Sequence, residues 1–209
     1  MRHIIVTLSD EQNEVIEIDF PDHSGETFKQ QYKLRNAPFD IVNQVKKCDG
    51  MVLFINPLTI KEPFLLSEIP LEFRDESEAV ALGQRDIEND PTDVLLVELL
   101  QFVNIMREEE KYSISIVVSA WDLISTRYKE YVNNPNGFIK KKLPLLWQYL
   151  STNDEFINVF YFGVSAQGGE LTNCDEILTF DEPYEKIMVV DANGARTNDI
   201  TVPINVLLG

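Results

Sequence analysis

A short stretch near the N-terminus carries residues of the kind that can bind a metal ion and a phosphate. An alternating apolar run at 16–20 is followed by Asp22 and, three residues later, by Gly25. A carboxylate here could hold Mg²⁺ through a water molecule, because Mg²⁺ keeps several waters and uses few protein carboxylates. The backbone N–H of Gly25 could contact a phosphate. The alternative is a tight turn at the end of a strand, since Asp-x-x-Gly is a common turn sequence.

Two further loops carry small and acidic residues directly after predicted strands. The segment Ser-Ala-Trp-Asp at 119–122 follows a strand predicted at 114–118. Ser165 and Ala166 follow a strand predicted at 159–164. The carboxyl ends of parallel strands meet at one edge of a sheet, and open α/β sheets bind ligands there. The three loops together therefore predict a binding site at one sheet edge.

Each of these residues also has a purely structural explanation. Asp122 could cap a helix that begins near Ser125. Trp121 is of a type that packs in a core more often than it stacks on a base. Ser165 and Ala166 could simply be two small residues at a strand end. Only the ordered set, with each member after a strand, favours the ligand-binding interpretation.

The apolar pattern predicts an α/β fold with three layers, in which helices cover both faces of a mostly parallel sheet. Alternating runs at 2–8 and 15–20 predict an antiparallel N-terminal hairpin. Continuous apolar runs predict three buried parallel strands, at 51–55, 114–118 and 159–164. Helices are predicted in parts of 26–45 and from Asp90-Pro91 onward. Another helix is predicted after the strand at 114–118, reaching Leu150 with a break at 133–137.

The chain is predicted to form a single domain over 1–209 with two additions. An acidic, proline-containing insertion spans about 58–90, and it is either a protein-contact region or a solvated loop. A C-terminal hairpin and extension spans about 172–209, with Asn193-Gly194 as the hairpin turn. The terminal run at 202–209 reads either as a strand or as a helix with Pro203 in its first turn.

The composition is that of an acidic globular protein. The 209 residues include 35 Asp and Glu against 18 Lys and Arg, which gives a net charge of −17. This charge argues against DNA or RNA as a partner, because phosphate contacts need a basic surface, and it suits docking on a basic protein. No apolar run approaches the roughly 20 residues that cross a bilayer, so no membrane contact is predicted. Cys48 and Cys174 have no metal-type spacing, which is typical of reduced thiols in a cytoplasmic protein.

Taken in order, the three loops resemble the later nucleotide motifs of the Ras-like and translation-factor P-loop GTPases (the TRAFAC class). Asp22-x-x-Gly25 resembles the switch motif, 119–122 resembles the Asn-Lys-x-Asp base motif, and Ser165-Ala166 resembles the start of the Ser-Ala-Lys loop. The run at 48–55 is similar to the Ala-Asp-Gly strand of that family. The closest subgroup is the bacterial double-GTPase-type domains of conflict and defence systems. The resemblance covers the chain from residue 2 to about 171.

The resemblance implies a role for each residue. Asp122 would accept hydrogen bonds from guanine N1–H and N2–H, and Ser165 and Ala166 would complete the base pocket, with the Ala166 N–H donating to guanine O6. Asp22 would hold Mg²⁺ through water. Gly25 would contact the γ-phosphate, so that GTP orders the following segment, 26–45.

The sequence also departs from the family pattern. It contains no Gly-x-x-x-x-Gly-Lys-Ser/Thr phosphate loop, whose amides and lysine bind the β- and γ-phosphates. Ser119 and Ala120 stand where the family has Asn and Lys, so the lysine stem that stacks on the base is lost. Glu26 stands at the position of the catalytic, water-positioning glutamine, and its charge would be repelled by a γ-phosphate. The fold is therefore expected to be GTPase-like but to lack the first strand and the P-loop.

These features predict a degenerate GTPase-like module that acts mainly through protein–protein interaction, with GTP, GDP and Mg²⁺ as possible ligands. A first alternative is a working GTPase switch whose P-loop comes from an upstream segment or a partner. A second is a non-nucleotide α/β adaptor in which the motif order is accidental. In the family the P-loop strand lies between the hairpin and the strand at 51–55. A partner could supply it by β-augmentation, or the C-terminal run at 202–209 could take its place.

Overall fold

The computed structural model describes residues 3–9, 15–21, 31–63, 90–108, 110–167 and 183–208. The chain forms two compact units, Met1–Pro38 and Phe39–Gly209, and each is considered by itself. The organisation as one domain stays a prediction.

The first unit contains the predicted hairpin. Strand β1 (His3–Ser9) pairs antiparallel with β2 (Val15–Pro21), in a register that runs from His3 opposite Pro21 to Ser9 opposite Val15. Along β2 the side chains alternate between half-buried and exposed, as expected for a strand with one covered face. Residues 31–34 form a helical turn, within the stretch where short helices were predicted.

The second unit is built on a five-stranded sheet in the order β3 (Gly50–Ile55), β4 (Tyr112–Val118), β5 (Ile157–Ser165), β6 (Met188–Asp191) and β7 (Arg196–Thr197). The first three strands are parallel, and the last two pairings are antiparallel. The three continuous apolar runs thus form adjacent parallel strands, and the prediction of a mostly parallel sheet is confirmed. The fold is compatible with that of a GTPase.

Helices of the second unit lie before, between and after these strands. They are α1 (Phe39–Lys47), α2 (Thr92–Met106), α3 (Trp121–Arg127), α4 (Pro135–Lys142), α5 (Pro144–Thr152) and α6 (Val202–Asn205). The predicted break at 133–137 occurs, because the Asn134 side chain accepts a hydrogen bond from the Gly137 N–H (2.7 Å) and starts α4. The start of α2 was predicted one residue early: Pro91 occupies the cap position and makes no side-chain cap bond.

The two faces of the sheet are covered by different parts of the chain. On one face Val117, Phe162, Val164 and Val189 form a buried cluster, against which Val202 and Val206 pack. On the other face Trp121 of α3 lies against Gly163 of β5 and meets Phe138 of α4. Further fully buried helical side chains are Leu100 of α2, Ile139 of α4, and Leu146 and Leu150 of α5. The C-terminal run is therefore helical, with Pro203 in its first turn, and the strand alternative for 202–209 is wrong.

The two hairpin strands β6 and β7 confirm the late hairpin predicted around Asn193-Gly194. Gly194 has a φ of +82°, which favours glycine. The Asp191 carboxylate accepts hydrogen bonds from the N–H groups of Asn193 and Ala195, both at 2.8 Å. The turn is thus held by its own side chain, as Asx-type turns are.

The ends of the predicted insertion meet at the start of α2. Lys61 and Thr92 exchange two hydrogen bonds: the Thr92 N–H donates to the Lys61 carbonyl (3.0 Å) and the Lys61 N–H donates to the Thr92 hydroxyl (2.9 Å). Lys142 forms an ion pair of 2.7 Å with Glu62. Residues 64–89, the body of the insertion, lie outside the described part of the chain.

Candidate functional site

The candidate site is the edge of the sheet where β3, β4 and β5 end. Because these strands are parallel, the segments that follow them lie at the same edge. Ser119, directly after β4, joins two of them: its N–H (3.0 Å) and its hydroxyl (3.3 Å) both donate to the carbonyl of Ile55, the last residue of β3. The polar groups of Ser119 are therefore used to connect neighbouring strands.

The segment after β4 turns directly into helix α3. Ala120 adopts the left-handed conformation (φ 48°, ψ 45°), which is uncommon for a residue with a Cβ. The helix begins at Trp121, four residues before the predicted start near Ser125. Asp122 lies inside the first turn and is half-buried, so the prediction that it could cap this helix is wrong. A carboxylate in the first turn is favoured by the helix dipole.

Trp121 is a core residue. Its side chain is fully buried, its indole N–H donates to the Val132 carbonyl at 3.2 Å, and its ring meets Phe138 edge-to-face with centroids 5.7 Å apart. The ring also lies directly against the backbone of β5, where a Cβ built on Gly163 would be 2.2 Å from it. Trp121 therefore packs in the core, as the structural explanation predicted.

Strand β5 ends one residue later than the sequence predicts, so the segment that follows it begins at Ala166. Ser165 is the last residue of β5 and is buried, opposite Met188 of β6. The prediction placed Ser165 in the loop, and it was wrong because the antiparallel pairing with β6 extends the strand by one residue. Ala166 is exposed immediately after it. Of the predicted base pocket, Asp122 and Ala166 lie at the same sheet edge with some surface accessible.

The predicted switch residues Asp22, Gly25 and Glu26 lie outside the described part of the chain, so their roles as Mg²⁺, phosphate and catalytic residues stay predictions. Among the described residues there is no group of three or more His, Cys, Asp or Glu side chains that could hold a metal ion. Likewise, none of the helices described is long and apolar enough to cross a membrane.

Sequence reasoning missed a buried carboxylate between two helices. Asp93, in the first turn of α2, is 1% exposed. Its two oxygens accept hydrogen bonds from the N–H groups of Leu145 (2.9 Å) and Leu146 (2.8 Å) at the start of α5. The sequence marks Asp93 only as a first-turn acid of its own helix. Its partners are more than fifty residues away, and no local pattern indicates them.

A buried arginine was also missed. One terminal nitrogen of Arg107, directly after α2, donates to the carbonyls of Val45 (2.7 Å) and Cys48 (2.8 Å) at the end of α1. It also lies 3.5 Å from the sulfur of Cys48. Arg107 therefore satisfies carbonyls that the last turn of α1 leaves without an intrahelical partner, and it fastens α1 to α2.

Cys48 is expected to react slowly with alkylating reagents. Burial raises the pKa of its thiol, although the Arg107 guanidinium opposes this shift, and the thiol donates to the Val45 carbonyl at 3.3 Å. Less thiolate is then present near neutral pH, and the thiolate is the reactive species. In a Cys174→Ser background, iodoacetamide should modify the folded chain at least about tenfold more slowly than the urea-unfolded chain. Equal rates would show that Cys48 is accessible as a thiolate.

Comparison with known proteins gives one result for the whole chain. A family model described as Double-GTPase 1 (DO-GTPase1) matches residues 1–207. No curated protein and no solved structure matches. The match agrees with the double-GTPase-type group to which the three motifs pointed.

Proposed function

Because the chain belongs to the Double-GTPase 1 family, we propose that this GTPase-related module acts mainly through protein–protein interaction and binds nucleotide weakly or not at all. The observation that carries the proposal is the packing of the segment 119–122, which resembles the base-reading motif in position. Trp121 in this segment is fully buried, and the segment serves to pack α3 onto the sheet. Family membership speaks against the alternative of an unrelated adaptor.

The neighbours of Trp121 support the same conclusion. Ala120 has no long stem to stack on a base, and the Ser119 hydroxyl and N–H are both directed to the Ile55 carbonyl. In the Asn-Lys-x-Asp motif these two positions carry the asparagine and the lysine. The sequence, moreover, contains no phosphate-loop motif, and phosphate contacts supply much of the affinity in P-loop proteins.

GTP or GDP and Mg²⁺ are the ligands that the family implies, and the described residues fit them in part. Asp122 is half-buried and Ala166 is exposed, and both follow parallel strands at the same sheet edge. The residues assigned to Mg²⁺ and the γ-phosphate are Asp22 and Gly25, outside the described ranges. If nucleotide binds, we expect it to shift the population of the segment 26–45.

The second candidate is a GTP-binding switch whose P-loop comes from another segment or a partner. It is favoured by the shared edge, because the segments that contain Asp122 and Ala166 both follow parallel strands there. The two candidates differ in one measurable property, which is the affinity of this chain alone for guanine nucleotide.

We expect no GTP-selective binding up to about 1 mM, the weakest range that corresponds to roughly 4 kcal/mol of binding free energy. The measurement is a titration with fluorescent GTP and ATP analogues, with and without Mg²⁺. Asp122→Ala is the matched variant, because it removes only the carboxylate that would select guanine. Under the proposal, the variant and the unchanged chain give the same response.

Micromolar GTP-selective binding that is lost in Asp122→Ala would overturn the proposal in favour of the second candidate. Hydrolysis provides an independent check. GTP turnover by the purified chain above that of its Asp22→Ala variant would show that the switch motif is catalytically active. Turnover that is equal in both would come from a contaminant and would leave the proposal standing.

A further inference from the structure

The chain contains two Asn-Gly pairs, Asn136-Gly137 and Asn193-Gly194. Asparagine is among the chemically labile residues, because the backbone nitrogen of the next residue can attack its side-chain amide carbon. A following glycine hinders this attack least, since it has no Cβ and moves freely between backbone conformations. The two pairs have the same local chemistry, so the fold decides which of them can react.

The pair Asn193-Gly194 lies in the turn between β6 and β7. The Asn193 side chain is exposed and makes no hydrogen bond within the part of the chain that the structure describes. Its backbone N–H donates to the Asp191 carboxylate at 2.8 Å, and the Gly194 N–H donates to the Asp191 carbonyl at 3.1 Å. The side-chain amide of Asn193 is therefore free to rotate, and only the turn itself holds the attacking nitrogen.

The pair Asn136-Gly137, in contrast, is fixed in helix α4. The side-chain oxygen of Asn136 accepts a hydrogen bond from the Trp147 indole N–H at 2.9 Å, and the Gly137 N–H donates to the Asn134 side chain at 2.7 Å. The next residue, Phe138, is 1% exposed, so this part of the helix is anchored in the core. Reaction at Asn136 therefore requires that α4 unfold.

The turn and β7 can open without unfolding of the core. Strand β7 has two residues and stands at the end of the five-stranded sheet. The Arg196 guanidinium of β7 donates to the Asn133 side-chain oxygen at 2.7 and 3.0 Å, and both of these residues are exposed. Short elements held by exposed hydrogen bonds open locally at a low free energy. Such an opening releases the Gly194 nitrogen while the rest of the sheet stays folded.

We propose that Asn193 is a modification site that converts spontaneously to aspartate and isoaspartate, and that the product loosens the turn and β7. The Gly194 nitrogen gives its proton to hydroxide and attacks the side-chain carbonyl carbon of Asn193. A C–N bond forms, and the side-chain amino group takes a proton from water and leaves as ammonia. Water then opens the succinimide ring by breaking one of its two C–N bonds. Opening at the side-chain carbon gives aspartate, and opening at the main-chain carbon gives isoaspartate.

Either product disturbs the turn. Aspartate at position 193 adds a negative charge two residues from the Asp191 carboxylate, which accepts from the N–H groups of Asn193 and Ala195, and like charges repel. Isoaspartate lengthens the main chain by one carbon directly before Gly194. That residue is left-handed (φ +82°) and so close to Asn133 that an added Cβ would lie 3.1 Å from the Asn133 carbonyl oxygen. A longer main chain cannot keep both the conformation and the contact.

The test follows both Asn-Gly pairs in the purified full chain. The chain is incubated at mildly alkaline pH, sampled over time, digested and analysed by mass spectrometry, which detects the replacement of NH₂ by OH. In the folded chain we expect Asn193 to react at least about tenfold faster than Asn136, because local opening costs far less free energy than global unfolding. In the urea-unfolded chain the two rates should agree within about threefold, since the fold no longer distinguishes the pairs.

Two variants test the opening step. Arg196→Ala removes both hydrogen bonds to Asn133 and should speed the reaction at Asn193 in the folded chain by about threefold or more, as the loss of such bonds predicts. Lys111→Ala is the matched control. It removes an exposed cation, in the segment before β4, that donates to the Asp154 carbonyl at 3.3 Å, and it should leave the rate unchanged.

Two substitutions at the modified position test the consequence. Asn193→Asp supplies the aspartate product directly, and amide hydrogen exchange at 192–197 should be at least about threefold faster than in the unchanged chain. Asn193→Gln keeps an uncharged amide but cannot form the five-membered ring. It should resist modification and leave amide exchange at 192–197 unchanged.

Three outcomes would overturn the proposal: reaction at Asn193 no faster than at Asn136 in the folded chain, equal effects of Arg196→Ala and Lys111→Ala, or unchanged amide exchange in Asn193→Asp. The proposal is independent of the proposed function, which nucleotide titration decides. Tight GTP binding would therefore leave the result at Asn193 unaffected, and an unreactive Asn193 would leave the proposed function standing.

Discussion

Replacing Gly163 by alanine is expected to lower the free energy of unfolding by about 3 kcal/mol or more, because overpacking of a tight core forces backbone or side-chain shifts. The new Cβ would lie 2.2 Å from the Trp121 ring. That ring cannot move aside, since it is fully buried, meets Phe138 and donates its N–H to Val132. The close contact is therefore one that only glycine permits at this position.

Urea unfolding of the variant and of the unchanged chain measures this effect. Gly50→Ala is the matched control, because its Cβ would lie 2.8 Å from the side chain of Leu207, which is only half-buried. We expect Gly50→Ala to cost about 1 kcal/mol, at the low end of overpacking. Equal losses in the two variants would mean that the Trp121 contact is not a special constraint.

A double-mutant cycle assigns the loss to the ring. Trp121→Phe keeps an aromatic side chain but removes the larger indole, so it creates space beside Gly163 and loses the hydrogen bond to Val132. In this background Gly163→Ala should cost at least about 1 kcal/mol less than in the unchanged chain, which is the coupling expected of residues in contact. Additive losses would show that the two positions act independently.

The cycle also bears on function. If the segment 119–122 is a packed corner, as the burial of Trp121 indicates, its substitutions should change stability and leave any nucleotide response unaltered. If the segment were a base-reading loop, its substitutions would weaken nucleotide binding and change stability little, because its residues would contact the ligand. Stability and nucleotide binding of the same variants therefore separate a structural segment from a recognition segment.

The elements that depend on local pattern could be predicted from the sequence. The hairpin β1–β2 and the strands β3, β4 and β5 follow from alternating or continuous apolar runs. The break before α4 follows from Asn134 and Pro135, which begin a helix by short-range contacts. In each case the residues that decide the structure are neighbours in the sequence.

What could not be predicted depends on contacts between distant residues. Ser165 belongs to β5 because β6 pairs with it, and α3 begins at Trp121, whose indole lies against Gly163 of a distant strand. The C-terminal run has both strand and helix character, and its apolar residues pack against the sheet as a helix. Tertiary packing decides such segments, and periodicity alone does not.

Asp93 is the clearest example of a residue whose role is set by distant partners, and its replacement should be costly. Asp93→Ala would leave two N–H groups at the start of α5, those of Leu145 and Leu146, without the carboxylate that now accepts from them at 2.9 and 2.8 Å. A lost hydrogen bond to a charged group costs about 1.5–3 kcal/mol. We expect Asp93→Ala to lower the free energy of unfolding by about 3 kcal/mol, measured by urea denaturation.

Two further variants make this expectation specific. Asp93→Asn keeps one oxygen acceptor and places an NH₂ group against the other N–H, so its loss should be about as large as that of alanine or only slightly smaller. Asp40→Ala removes an exposed acid from the first turn of α1 and should cost no more than about 0.5 kcal/mol. If Asp93→Ala cost as little as Asp40→Ala, the start of α5 would be held by its packing and not by this carboxylate. A large loss would show that one buried side chain of α2 fixes the start of α5.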